Sequence, residues 1–407
     1  MTITSTPFRR LAFALAFSAL AAPAFAIQTC ELGGEPINPN NGSATAGKTG
    51  LMRCRESDTG QVVREQELQN GKFMGVVRYF KAGQIEREFS VNERGNRDGV
   101  SREWAVNAAD GKRVLVREET VRNSGTIGVA RSWNPDGSRR RLTFYGDDAR
   151  EQAYAEFTPD GKLSELRCAP RPVFGTEFDD KTACGHAGAA TTVVLYNGKG
   201  QATTRLMIDH GERRKTETLW DSGSVRELRE LTATGGIERS FAADGTKRHE
   251  LQWVTGAATD AGARPRRVDT LEQEFHESGK LVHERRWAPS ARGADLVAET
   301  SWYLNGQLKD KSEYGDAGAG QRVRHETSYH DNGKPSFDGS WTLSNARDEL
   351  ATGTHTRFDD SGRARGESVY DGRGRITRER EFDERGTLVR DDEVFEDGSR
   401  RGNSRAP

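Results

Sequence analysis

The sequence predicts an all-β fold, an extended antiparallel meander of repeated β-hairpins forming one long twisted sheet. Three observations predict it. Turn glycines recur at Gly362, Gly374, Gly386 and Gly398, each twelve residues after the last and each preceded by an aromatic residue, and internal repetition of this kind is the primary sign of a repeat architecture. One pairing rule covers two loop lengths. A three-residue loop ending in glycine sets Phe382 opposite Leu388, and a two-residue Asn-Gly loop sets Tyr303 opposite Leu308. The segments between turns are charged and alternate, as in Arg378-Glu379-Arg380-Glu381, which separates arginines from glutamates onto opposite faces of a strand. Glycines at this frequency rule out a coiled coil.

From the start of the chain, 1–26 reads as a secretory signal peptide. Arg9 and Arg10 form its basic start, Leu11 to Ala22 its apolar core, and Ala24-Phe25-Ala26 its cleavage site. Cleavage is expected after Ala26. It removes two arginines and moves the formal charge from −1 to −3, so no global field favours nucleic acid or an anionic membrane. Charged residues make up 30% of the chain, above the roughly 25% of globular chains. Long apolar runs are few after the signal, which points to an extended sheet with limited core.

The segment 27–66 matches the repeat poorly, and Pro36 to Gly42 and Ala44 to Gly47 read as loop. It is expected to be a cap tied by a disulfide. The four cysteines, Cys30, Cys54, Cys168 and Cys184, allow three connectivities. The preferred one is local, Cys30 with Cys54 and Cys168 with Cys184, in keeping with an oxidising compartment. Metal binding is the alternative weighed, against which stand the absence of Cys-x-x-Cys and a single nearby histidine, His186.

The array is expected over 67–402, with an irregular insertion at about 168–191 and a disordered tail at 403–407. Its pairing rule further predicts Phe80 with Ile85, Phe157 with Leu163, Trp220 with Val225, Phe275 with Leu281 and Tyr370 with Ile376. Trp133, Phe241 and Tyr329 precede turns that lack the aliphatic partner, with Arg139, Lys247 and Pro335 in its place. Asn70-Gly71-Lys72-Phe73-Met74-Gly75 leads to Phe80 and Gly83, Gly95 to Gly99 leads to Trp104, and Asn123 to Gly128 leads to Trp133 and Gly137. Gly362 to Gly366 before Tyr370 is a further copy. These segments resemble the bacterial variant of the MORN (membrane occupation and recognition nexus) repeat. The resemblance implies hairpins laid side by side. It implies the roles of related proteins as scaffolds, as lipid- or protein-binding platforms, or as antitoxin-like partners of secreted toxins.

No motif carries catalysis. Asp221-Ser222-Gly223 repeats the turn chemistry of Asp360-Ser361-Gly362 and is read as a turn, and no Gly-x-Ser-x-Gly elbow exists. His325 and His330 miss zinc-protease spacing by one residue, and His276 and His283 merely flank a turn. The basic clusters at Arg139 to Arg141, Arg213 to Lys215, Arg264 to Arg267 and Arg285-Arg286 lie among acids and read as solvated strands. The chain is therefore expected to be a non-enzyme without cofactor or metal, periplasmic or secreted, and a platform for a protein partner or for a lipid or cell-wall component, with no nucleic acid. The alternative is an immunity protein that neutralises a toxin by binding. The sequence leaves the oligomeric state open.

Overall fold

The computed structural model describes residues 28–256, 266–290, 293–318, 321–344 and 348–403. The expected signal peptide, the end of the expected tail and residues 257–265, with Arg264 of one basic cluster, lie outside them. The fold is almost entirely antiparallel strand. The meander is divided into two sheets, one of twelve strands between Gln28 and Arg167 and one of seventeen between Thr191 and Gly402. In the larger sheet every strand pairs with its neighbours in sequence. Neither sheet closes on itself.

By compactness the chain forms two units, 28–137 with 145–150, and 138–144 with 151–403. In the first unit, the expected cap segment 27–66, read as loop at 36–42 and 44–47, contains the strands Gln28–Leu32, Glu35–Ile37 and Gly50–Glu56 and a helical turn Gly42–Thr45. Asn41 caps that turn by accepting the Ser43 N–H at 3.0 Å. The local Pro/Gly signals describe the links correctly, but sheet pairing recruits the short stretches between them. Glu35–Ile37 is the terminal strand at this end, and an edge only three residues long offers little template for another chain. A small core of Ile37, Met52, Cys54 and Leu68 seals it.

The second unit holds the larger core. Ala155, Leu166, Cys184, Leu195, Leu206 and Ile208 are buried together, with Phe157, Phe178 and Val193 packed against them. The insertion at 168–191 folds over this cluster. Its helical turn Asp180–Ala183 is capped by Asp179. The buried Asp180 carboxylate accepts the N–H groups of Val173 and Phe174 at 2.6 and 3.3 Å, which fixes the loop.

Five predicted cross-strand pairs are present: Phe80–Ile85, Phe157–Leu163, Phe275–Leu281, Tyr370–Ile376 and Phe382–Leu388. Two are corrected. Leu219, not Trp220, opposes Val225, and Trp302, not Tyr303, opposes Leu308. At both turns the glycine N–H donates to the carbonyl three residues earlier, from Gly223 to Trp220 at 2.8 Å and from Gly306 to Tyr303 at 2.9 Å. These are therefore three-residue loops with a left-handed glycine. An Asn-Gly type I′ turn needs positive φ at both residues. Only Gly306 has it at the Asn305-Gly306 turn, whereas Ala82 and Gly83 both do, at 48° and 75°.

The displaced aromatics become first turn residues and reach the next turn on the same edge. Trp220 Nε1 donates to the Phe241 carbonyl at 3.3 Å, and the Tyr303 hydroxyl to the Tyr329 carbonyl at 2.9 Å. Asn305 and Asn332 do likewise to the Asp331 and Asp360 carbonyls at 2.6 and 2.7 Å. Consecutive turns are thus stitched along the edge.

The Asn-Gly-Lys-x-x-Gly pattern also has a structural cause. Asn70-Gly71 is a two-residue turn, and Gly75, at φ +83°, forms a bulge in which 74–76 face Glu67 alone. A Cβ at Gly75 would lie 1.9 Å from Glu67 Oε2. The bulge adds two residues to one strand, which shifts the register and so changes which residues stand opposite beyond it.

Candidate binding surface

The charged strands form ladders. In the first unit Arg53, Glu65, Arg78, Glu88, Arg102, Glu118 and Arg131 lie directly opposite one another on successive strands. Their ion pairs measure 2.9, 3.7, 2.7, 3.9, 2.8 and 3.6 Å in that order. Each interior arginine has a carboxylate on both sides. Single exposed pairs of this kind contribute about 0–1 kcal/mol; a continuous row contributes as a network and favours one register, since a two-residue slip separates most of the opposed pairs. Replacing Glu65 by lysine sets three cations in line. We expect a loss of about 1–2 kcal/mol, smaller at high salt, in urea denaturation at two salt concentrations.

The second unit repeats the rule. Arg285 is held by Glu272 and Glu299 at 3.3 and 3.1 Å, and Arg380 by Glu367 and Asp391 at 2.9 and 3.6 Å. The residues singled out as basic clusters are mostly rungs or struts. Arg141 pairs with Glu156 and Glu151, Arg214 with Glu212, Lys215 with Glu217, and Arg286 with Glu284.

Glu250 is the most perturbed carboxyl. Burial pushes its pKa up, but hydrogen bonds from Arg239, Lys247 and Gln252 outweigh burial and hold it at about 2. Turn aspartates are held low as well. Asp383 accepts the Thr387 and Arg385 N–H groups, and Asp371 those of Arg375 and Arg373. Folded pKa values below unfolded ones mean stability that is full above the ordinary carboxylate range and lost as pH falls through the folded pKa. Stability should therefore be flat near neutrality and fall from about pH 4.5 towards pH 2. Glu250 alone accounts for about 3 kcal/mol of that fall, so Glu250→Gln should flatten the acid limb of a stability–pH curve.

Both predicted disulfides are present. Cys30 and Cys54 are directly opposed on neighbouring strands, with Cα atoms 4.0 Å apart, and Cys168 and Cys184 bridge the insertion at 5.8 Å. The histidines do not converge. His325 lies 3.2 Å from Asp338, while His330 belongs to a turn and contacts the Phe358 carbonyl at 3.4 Å. His276 binds Ser278 at 3.1 Å, and His283 binds Glu299 at 2.8 Å. Ser222 contacts Ser224 at 2.8 Å within its turn. Among the described residues no group of three or more His, Cys, Asp or Glu side chains is arranged to hold a metal ion.

A groove of about 590 Å³ in the second unit has no counterpart in any sequence motif. Thr216, Thr218, Glu227, Arg229, Glu238, Ser240 and His249 line it, from four consecutive strands of one sheet. Register places them on one face. Thr216 opposes Arg229, Arg229 opposes Glu238, and Ser240 opposes both Glu227 and His249. Arg213, Leu228, Leu231 and Arg239 also line it, and Arg213 donates to the Leu166 carbonyl at 3.0 Å. Which side chains share this face depends on register and bulges, which no local motif reports.

Fold and surface together define an open, antiparallel hairpin-repeat β protein. No protein-family model matches the chain, and no curated protein matches it. Among solved structures it is similar to the crystal structure of TcdB2-TccC3 without its hypervariable C-terminal region, at 10% identity and a TM-score of 0.15 over 90% of this chain and 23% of that one. It is also similar to a porin-like protein from Bacteroides uniformis, at 11% identity and a TM-score of 0.17 over 52% of this chain and 87% of that one. The chain thus spans about a quarter of the length of the first. Likeness at this level assigns no function.

Proposed function

We propose that the protein is an exported, non-enzymatic repeat protein that acts as a binding platform for another protein or an envelope component. The groove between Thr216 and His249 is the observation that carries this reading. It is open, of ligand size, and lined by hydroxyls and charges on rigid strands. Two disulfides are consistent with an oxidising compartment, and the MORN-like spacing of the turns supports a platform role. The mixed charge of the surface favours a platform over a toxin-neutralising immunity protein.

The test is capture of the tagged protein from an envelope fraction cross-linked in vivo, with mass spectrometry of what is bound. Recovery of envelope proteins or cell-wall material supports the platform. Recovery of one stoichiometric secreted toxin would replace it with the immunity reading, and recovery of nothing above a tag control would remove both.

A further inference from the structure

The ladder rule makes the groove unusual. Arg78, Arg102, Arg285 and Arg380 each have carboxylates on both neighbouring strands. Arg229 does not. One cross-strand neighbour is Thr216, and the other is Glu238, 3.6 Å away. Glu238 is held more closely by Arg267, at 2.8 Å. Arg213, in the same cavity, has no carboxylate within ion-pair distance among the described residues and donates only to the Leu166 carbonyl. The remaining acid of the lining, Glu227, lies 3.6 Å from Arg226 and accepts from Thr218 at 3.4 Å. Of the three arginines that line the cavity, Arg239 is paired with Glu250 at 2.9 Å, whereas Arg213 and Arg229 face it with an anionic rung missing.

We propose that this groove docks an extended, carboxylate-bearing segment of a partner polypeptide, with a carboxylate filling the rung that Thr216 leaves vacant beside Arg229. Guanidinium groups suit this ligand because their paired donors match carboxylate geometry. The remaining lining suits a polypeptide more than a free anion. Ser240 and His249 can hydrogen-bond main-chain groups, Leu231 offers an apolar wall, and about 590 Å³ far exceeds what one small anion fills. The inference rests on the binding-platform reading for the nature of the partner, but the groove can be tested without it.

The test uses the full mature chain and a fluorescein-labelled peptide of alternating aspartate and serine, followed by fluorescence anisotropy. A lysine–serine peptide and inorganic phosphate serve as comparisons. The aspartate peptide should bind, more weakly at high salt, and Arg229→Gln should weaken it about tenfold. Thr216→Glu supplies the missing rung from within. It should abolish binding while leaving the melting temperature unchanged or raised, which separates loss of the site from loss of the fold. Arg140→Gln, an exposed cation outside the groove, should change nothing. Wild-type affinity in Arg229→Gln and Thr216→Glu, or no binding of the aspartate peptide, would overturn the assignment. Displacement by phosphate at the peptide's own concentration would reduce the groove to an anion site and overturn the polypeptide ligand. Envelope partners captured equally by Arg229→Gln would leave the platform standing and sink the groove, whereas peptide binding without any captured partner would do the reverse.

Discussion

Replacing Leu206 by alanine is expected to destabilise the second unit by about 3 kcal/mol, within the 2–5 kcal/mol typical of buried Leu→Ala changes. Leu206 is 1% exposed and sits among Leu166, Leu195, Ile208 and Cys184. The fold has few such positions, because most strand residues are half-buried at best. The lost methyl groups leave a cavity in a cluster that is one of only two buried apolar cores formed by the described residues. In a repeat array, stability is a sum over neighbours, so the loss should be local. Hydrogen exchange should accelerate in Leu163–Arg167 and Thr191–Asp209 and stay unchanged in Ile376–Val394. Uniform acceleration along the chain would contradict the description of the core as a separate cluster.

Replacing Cys168 and Cys184 together by serine is expected to cost about 3 kcal/mol. The bridge closes a loop with a sequence separation of 16, and Cys184 also contributes its buried sulfur to the same core. The insertion keeps its Asp180 contacts, Phe178 against the core and the Gly211 N–H bond to the Cys184 carbonyl at 2.8 Å, but its described residues add no strand to either sheet. Limited proteolysis should open the double variant between Arg171 and Lys181, sites that survive in the oxidised protein. Serine at Cys30 and Cys54 should cost less than the change at Cys168 and Cys184. Their strands remain paired over five residues without the bond, from Gln28 with Glu56 to Leu32 with Met52. Equal losses at both bridges would argue against this division.

Much of this was legible in the residues. The twelve-residue recurrence from Gly362 to Gly398 marks hairpins because a left-handed turn position selects glycine, a requirement satisfied within four residues of chain. The pairs Phe382–Leu388 and Tyr370–Ile376 follow directly from such turns. Cys30–Cys54 and Cys168–Cys184 were reached from local bracketing of irregular segments. Where two local rules competed, at Asn305-Gly306, the sequence misled. The Asn-Gly preference for a two-residue loop yields there to a three-residue loop that lets Tyr303 bond the next turn, a partner 26 residues away.

The sequence by itself therefore determined what is set within one hairpin: strand type, turn positions, charged alternation and the paired cysteines. Tertiary structure decided which residues meet beyond a single hairpin. Register is accumulated across successive loops and bulges, and one skipped residue moves a side chain to the other face. Arg53 through Arg131 becomes a ladder only because the bulge at Gly75 and the turns of unequal length bring opposite charges level. The division into two sheets, the core under the insertion and the groove with its incompletely paired arginines arise in the same way, from sums of register and twist that no single repeat contains.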